Sequence, residues 1–206
     1  MAVKSICRVE SRGKPSEAET AIHEAGHAVI GRILLGMICG GASIVGDGDR
    51  AGHAVTGDPW AICRQWYERG KFRHPHSGFV GRIMTCMAGA EAAVELAGSL
   101  HGQTGDGEDR YQIALMFEET GFEEDRYEYY EGRLRRFTRY LVRRHRDKIN
   151  RVAEALLARG RLTAEEIDDL AGPNPNQDRI KNARAEALSK SVYGRRAITN
   201  TANCAP

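Results

Sequence analysis

Residues 17–35, EAETAIHEAGHAVIGRILL, constrain the fold most, because they carry a clear helical periodicity. Apolar side chains recur there at intervals of three and four residues, which predicts a helix with one face turned to a core. Ser16 followed by Glu19 is typical of a capping box at the start of a helix, and Gly36 is a residue type that ends one. We therefore expect a helix that begins after Ser16 and ends near Gly36.

The same helix contains the motif His23-Glu24-Ala25-Gly26-His27. Residues four apart share one face of a helix, so both imidazoles can bind a single metal ion, and neutral imidazole suits zinc. Glu24 lies about 100° around the helix from His23, where it can reach a zinc-activated water without being a ligand. The pattern predicts a zinc metalloendopeptidase of the HEXXH type, with Glu24 as the general base.

A third zinc ligand has to come from elsewhere in the chain. The extended form H-E-x-x-H-x-x-G-x-x-H is absent, because positions 30 and 33 are both Ile. Acidic residues occur on the predicted helix 79–97 and at the junction 104–109, where carboxylates also serve as ordinary helix caps. The residues alone leave five candidates open: Glu91, Glu95, Asp106, Glu108 and Asp109.

The remaining pattern predicts a mainly α fold with a small β-ribbon beside the active-site cleft. Two β-like runs at 42–45 and 53–56 flank turn-forming residues and predict a hairpin. We expect further helices at 79–97, 108–119 and 145–158, an amphipathic basic helix within 133–148, and a helix after Thr163 that Glu166 helps to cap. Residues 57–77 have no clear assignment and fit a loop or a short helix.

Length and composition exclude several classes of protein. The chain has 206 residues and a formal net charge of +2, which leaves no overall basic footprint for nucleic acid. No apolar run approaches 18 residues, so we expect no membrane helix. Five cysteines without a CxxC pair favour a reducing, cytoplasmic location. We expect a polar lead-in at 1–16, one domain at 17–172 and a flexible polar tail at 173–206.

The segment TAIHEAGHAVIGRILLG resembles the zinc-binding helix of the FtsH-type ATP-dependent zinc metalloproteases. Four further segments resemble other parts of that peptidase domain in the same order: ASIVGDGDRAGHAVTGD, IMTCMAGAEAAVELAG, TGDGEDRYQIALM and RRHRDKINRVAEALLARGRLTAEEIDDL. The similarity covers residues 17–171. It is highly specific at the first motif and moderate elsewhere.

The resemblance implies a Zn²⁺ cofactor held by His23, His27 and Asp109, with Glu24 as the catalytic base. The match at Asp109 depends on the preceding Thr-Gly and on the helix that follows. The family's Ala-Ser-Asn is replaced here by Asp106-Gly107-Glu108, so Asp106 and Glu108 remain alternatives. The small-residue helix also departs from the family, with Ala90 where an Arg is usual.

Family members normally carry membrane helices and an ATPase module ahead of the peptidase domain. Neither pattern occurs in these 206 residues, which also lack a G-x-x-x-x-G-K-[ST] motif. We therefore expect ATP-independent cleavage of peptides or unfolded proteins, unless a separate ATPase acts as a partner. The alternative function is a non-catalytic zinc-binding adaptor or regulatory protein with a degenerate peptidase fold.

Overall fold

The computed structural model describes residues 15–35, 40–46, 51–68, 76–99 and 107–172. They form a mainly helical fold with a small three-stranded antiparallel sheet. The helices are α1 (Glu17–Leu35), α2 (Pro59–Glu68), α3 (His76–Ala97), α4 (Gly107–Thr120), α5 (Tyr127–Arg144), α6 (Arg146–Arg159) and α7 (Ala164–Ala171), with a 3-10 turn at Glu124–Arg126. The strands are β1 (Ala42–Ser43), β2 (His53–Ala54) and β3 (Arg161–Leu162).

Helix α1 lies at the centre of the domain and packs against both α3 and α6. Its contact with α3 is close because both helices present small residues there. A Cβ added at Gly26 would lie 2.8 Å from the Cβ of Ala92, so no larger side chain fits without displacing α3. This close approach puts the middle of α1, where the HEAGH motif lies, directly against the α3 backbone.

A second core cluster joins α3 to α4. Its fully or nearly buried members are Phe79, Ile83, Cys86, Met87, Ile113, Met116 and Phe117. Burying apolar side chains of this size stabilises the contact by about 1.5–3 kcal/mol each. The cluster holds α4 against the same helix that supports α1, and it brings the first turn of α4 to the histidine face of α1.

The small sheet has the strand order β2-β1-β3. Ala42 of β1 pairs with Ala54 on one side and with Leu162 on the other, both antiparallel. The predicted hairpin is confirmed as a strand pair, although each strand is two residues long rather than four. Strand β3 was not predicted, because a two-residue run is too short to show the alternation that identifies a strand.

Both predicted capping boxes are confirmed. The Glu19 N–H donates to Ser16 Oγ at 3.2 Å, and the Ser16 N–H donates to Glu19 Oε2 at 2.9 Å. Thr163 and Glu166 make the same reciprocal pair at the start of α7. The predicted stop at Gly36, residues 1–14 of the lead-in and the tail at 173–206 lie outside the described residues.

Other boundaries differ from the prediction. The unassigned stretch 57–77 contains α2, and the amphipathic basic helix begins earlier than expected, at Tyr127. Its first turn lies in the acidic stretch that precedes the basic one. A run of acidic residues does not by itself predict a helix or a strand, so the start of this helix was missed. None of the helices in the described ranges is long and apolar enough to cross a membrane.

Candidate metal centre

Three side chains from two helices meet at the contact between α1 and α4. His23 and His27 project from successive turns of α1, and their Nε2 atoms lie 3.0 Å apart. The Oδ2 atom of Asp109, in the first turn of α4, lies 3.3 Å from His23 Nε2 and 3.0 Å from His27 Nε2. One ligand atom from each of the three residues therefore points to a common place.

The triangle formed by these atoms fits a zinc ion. Bonds of about 2.0–2.1 Å in tetrahedral geometry place neighbouring ligand atoms about 3.3 Å apart, close to the three observed separations. Two imidazoles and one carboxylate are donors that zinc accepts in catalytic sites. Within the described residues, His23, His27 and Asp109 form the group of His, Cys, Asp or Glu side chains that lie close enough together to hold a metal ion.

Helix α3 forms the wall behind the two imidazoles. A Cβ added at Gly89 would lie 2.6 Å from His23 Nε2 and closer still to His27 Nε2. Any side chain at position 89 would therefore occupy the space in which the ligand atoms converge. The absence of a side chain at Gly89 leaves room for the histidine pair and for an ion between them.

The backbone of α3 also orients one of the rings. The Thr85 carbonyl oxygen lies 2.7 Å from His27 Nδ1, and because a carbonyl can only accept, Nδ1 carries the hydrogen. In the neutral ring Nε2 then bears the lone pair, directed toward His23 and Asp109. A carbonyl that fixes the tautomer in this way is the usual outer-shell partner of a ligating histidine.

Glu24 is buried beside the cluster, with 6% of its surface exposed. Burial raises the pKa of its carboxyl group, and the attraction of His27 and His23 offsets this only in part. Strand β2 begins against it, since a Cβ at Gly52 would lie 3.0 Å from Glu24 Cγ. The carboxyl group is therefore enclosed between α1 and the sheet, close to the ligand atoms.

Charges within the cluster are strongly coupled. Burial acts to lower the pKa of His27, but the Asp109 carboxylate, the Glu24 carboxylate and the Thr85 carbonyl together outweigh it and raise the pKa to about 9. Burial conversely acts to raise the pKa of Asp109, while His27 and His23 hold it well below its usual range. A cation at this place therefore matches the electrostatics of the site, whether that cation is a proton or a metal ion.

No protein-family model and no curated protein matches this chain. The resemblance to FtsH-type metalloproteases therefore stays a prediction. What the cluster can bind has to follow from its own geometry and donor chemistry.

The other candidate third ligands differ in where the structure places them. Glu91 is buried on α3 and accepts hydrogen bonds from Arg139 and Arg135, so it belongs to the α3–α5 contact. Glu95 pairs with Arg143 at 2.6 Å on the same side of α3. Glu108 is exposed and accepts a hydrogen bond from Gln112. Asp106 lies outside the described residues.

Two residues of the site, Gly89 and Thr85, were not singled out from the sequence as neighbours of the histidines. The signal for Gly89 was present in the run MAGAEAA, because a glycine among alanines marks a face of close helix packing. Which helix approaches that face cannot be inferred from the run itself. Thr85 contributes only a backbone carbonyl, for which no side-chain pattern exists.

Proposed function

We propose that this protein is a zinc-dependent metallopeptidase that hydrolyses peptide bonds in unfolded proteins or peptides. The observation that carries the proposal is the meeting of His23 Nε2, His27 Nε2 and Asp109 Oδ2 within 3.3 Å of one another. The buried carboxyl group of Glu24 beside them distinguishes this cluster from a metal site with ligands alone.

His23, His27 and Asp109 would hold the ion, and Gly89 leaves the space for it. When bound, zinc supplies Lewis-acid chemistry: it makes a water more acidic and polarises a carbonyl. Three protein ligands with an open fourth position are typical of catalytic zinc sites, whereas structural sites use four. Asp109 brings one negative charge to this set, and the two imidazoles bring none when neutral.

Glu24 is the group that would move the proton. Glu24 follows His23 directly on α1 and precedes His27 by three residues. Its carboxyl group can therefore reach a water beside the ion without being a ligand. The raised pKa of its carboxyl group brings it nearer the pH at which a base both accepts and returns a proton efficiently. We assign it the removal of a proton from the attacking water and delivery of that proton to the leaving amine.

The experiment compares the protein with Glu24→Gln, using hydrolysis of casein and zinc content as two separate measurements. We expect bound zinc to be retained and hydrolysis to fall by about 10²–10⁴-fold, the usual contribution of a general base. Glu17→Gln is the matched control, because Glu17 is an exposed acid on the same helix, and it should leave both measurements unchanged. Full activity in Glu24→Gln would falsify the role of Glu24.

Cleavage by this chain is proposed to be independent of ATP. Adding ATP to the purified protein should therefore not change the rate of casein hydrolysis. Zinc bound at full stoichiometry without hydrolysis of any unstructured substrate would instead favour the non-catalytic adaptor.

A further inference from the structure

Helix α1 carries a buried arginine, Arg32, after the histidine pair. The Arg32 side chain is 3% exposed, and its Nε–H donates to the Asp168 Oδ1 atom of α7 at 2.6 Å. The Asp168 side chain is also buried, with 8% of its surface exposed. Replacing a buried ion pair of this kind with apolar residues is often neutral or stabilising, so stability alone does not account for it. What the pair does fix is the arrangement of the groups around it.

The same guanidinium also donates to backbone carbonyls of three segments. Its Nη1 donates to the Ala28 carbonyl of α1 at 3.0 Å. Its Nη2 donates to the Ala164 carbonyl at 3.0 Å, in the first turn of α7, and to the Gly40 carbonyl at 3.4 Å, ahead of β1. A guanidinium presents its donors in a rigid planar fork, whereas a lysine ammonium is a compact point charge. Arg32 therefore joins α1, α7 and the start of β1 at one point.

Gly40 lies at one end of the small sheet. The Gly40 N–H donates to the Val55 carbonyl at 2.8 Å, and the Val55 N–H donates to the Gly41 carbonyl at 3.0 Å. These bonds continue the pairing of β1 with β2 beyond Ala54. On the other side of β1 the sheet is equally close, since a Cβ added at Gly41 would overlap the Leu162 carbonyl of β3. The contact from Arg32 to Gly40 therefore holds the end of the sheet at which all three strands meet.

The opposite end of β2 lies against Glu24. A Cβ added at Gly52 would lie 3.0 Å from Glu24 Cγ and 2.9 Å from Thr20 Cγ2. The strand rises about 10 Å from Gly52 to Val55, and the helix rises about 12 Å from Glu24 to Arg32. Strand β2 therefore runs alongside α1, with Arg32 near one end and Glu24 at the other. Because hydrogen bonds join so short a ladder along its length, a displacement at Val55 also moves Gly52.

We propose that Arg32 is a positioning residue: paired with Asp168, it holds the three-stranded sheet against α1 and so fixes β2 beside the carboxyl group of Glu24. This inference rests on the proposed peptidase function, in which Glu24 is the base. Arg32 acts through the sheet and not on the reacting atoms. The ligands of the candidate metal centre lie on α1 and α4, so loosening the sheet leaves zinc binding intact. It lowers kcat, because a displacement of about 1 Å in a reacting group can cost about 10²-fold in rate.

Two variants should release the sheet. Arg32→Met combined with Asp168→Leu replaces the pair with apolar side chains, so neither charge is left buried without the other. Arg32→Lys keeps a positive charge beside Asp168 and removes the fork that reaches the carbonyls of α7 and the start of β1. Arg151→Met is the matched control, because Arg151 also donates to a carbonyl of α7, that of Leu170 at 3.0 Å, but does so from α6.

Amide hydrogen exchange measured by NMR on the full chain reports on the sheet without requiring any enzymatic activity. The exchange rate of the Val55 N–H, which lies in the ladder, is divided by that of the Ile149 N–H, which is bonded within α6. This ratio separates local opening of the sheet from a general loss of stability. We expect it to rise at least tenfold in both Arg32 variants and to stay unchanged in Arg151→Met.

Casein hydrolysis and zinc content are measured on the same chains. We expect kcat to fall at least tenfold in both Arg32 variants while zinc content stays unchanged. A residue that only stabilised the fold would leave kcat unchanged once the rate is expressed per folded molecule. Arg151→Met should match the unsubstituted chain in both measurements.

An unchanged exchange ratio in both Arg32 variants would overturn the proposal, and so would an unchanged kcat in a variant whose ratio has risen. An unsubstituted chain that binds zinc without hydrolysing casein is a different result, because it counts against the proposed peptidase function. In that case the exchange ratio by itself still supports or overturns the role of Arg32 in holding the sheet against α1.

Discussion

Gly89 on α3 faces the imidazole of His27 on α1 so closely that a methyl group at position 89 would overlap the ring. The two residues are far apart in sequence, and neither the HEAGH motif nor the run MAGAEAA predicts that they are in contact. Their contact sets how near α3 can come to the histidine face.

Gly89→Ala should reduce zinc affinity strongly while leaving every ligand in the chain. The added methyl group has to displace the two rings or separate α1 from α3, and overpacking of this kind costs about 1–3 kcal/mol. Zinc affinity by calorimetry and stability by urea unfolding measure the two effects. Gly132→Ala is the control: it lies on α5 with no atom near a Cβ, so it should be neutral or slightly stabilising. Unchanged zinc binding in Gly89→Ala would contradict this account of the site.

Asp109→Asn should lower zinc affinity by more than about tenfold, because an amide oxygen is a weaker ligand than a carboxylate and brings no charge. Glu108→Gln is the matched control, since Glu108 is the adjacent acid and is exposed toward Gln112. It should bind zinc as the unsubstituted chain does. If Glu108→Gln loses the metal and Asp109→Asn keeps it, the third ligand has been assigned to the wrong residue.

Removing zinc with a chelator should lower the melting temperature. An ion that joins α1 to α4 binds only the folded chain, and at a free concentration of about 100 times Kd it contributes about 2.7 kcal/mol. For a chain of this size that corresponds to about 5–10 °C. Differential scanning calorimetry with and without chelator measures the shift, and adding zinc back should restore it. In Asp109→Asn the chelator should have much less effect.

Glu91→Gln should destabilise the fold without affecting zinc binding. Glu91 is 2% exposed and accepts from Arg139 at 2.9 Å and from Arg135 at 3.4 Å, so its substitution removes a buried negative charge that two arginines share. We expect a loss of about 1–3 kcal/mol in the free energy of unfolding. Glu95→Gln is the comparison, because its shorter contact is with the mostly exposed Arg143 and its second partner, Arg139, keeps Glu91, so it should cost less than about 1 kcal/mol. Equal costs for the two variants would mean that burial does not control the strength of these pairs.

Much of the local structure could be predicted from the sequence. The spacing of His23 and His27 puts them on one face of any helix, and the capping boxes at Ser16 and Thr163 identify where two helices begin. These features depend on residues within one or two turns of each other. Short-range hydrogen bonds and side-chain directions decide them, and such information is contained in a short stretch of sequence.

The helix, the histidine pair and Glu24 beside it could therefore be predicted from one short segment of sequence. The carboxylate that joins them depends on helix packing, because Glu91, Glu95 and Asp109 have the same chemistry and differ in what each helix faces. Packing of α3 against α5 directs Glu91 and Glu95 toward arginines, whereas packing of α3 against α4 brings Asp109 to the imidazoles. Those packings come from apolar burial summed over whole helices, so no single motif encodes them.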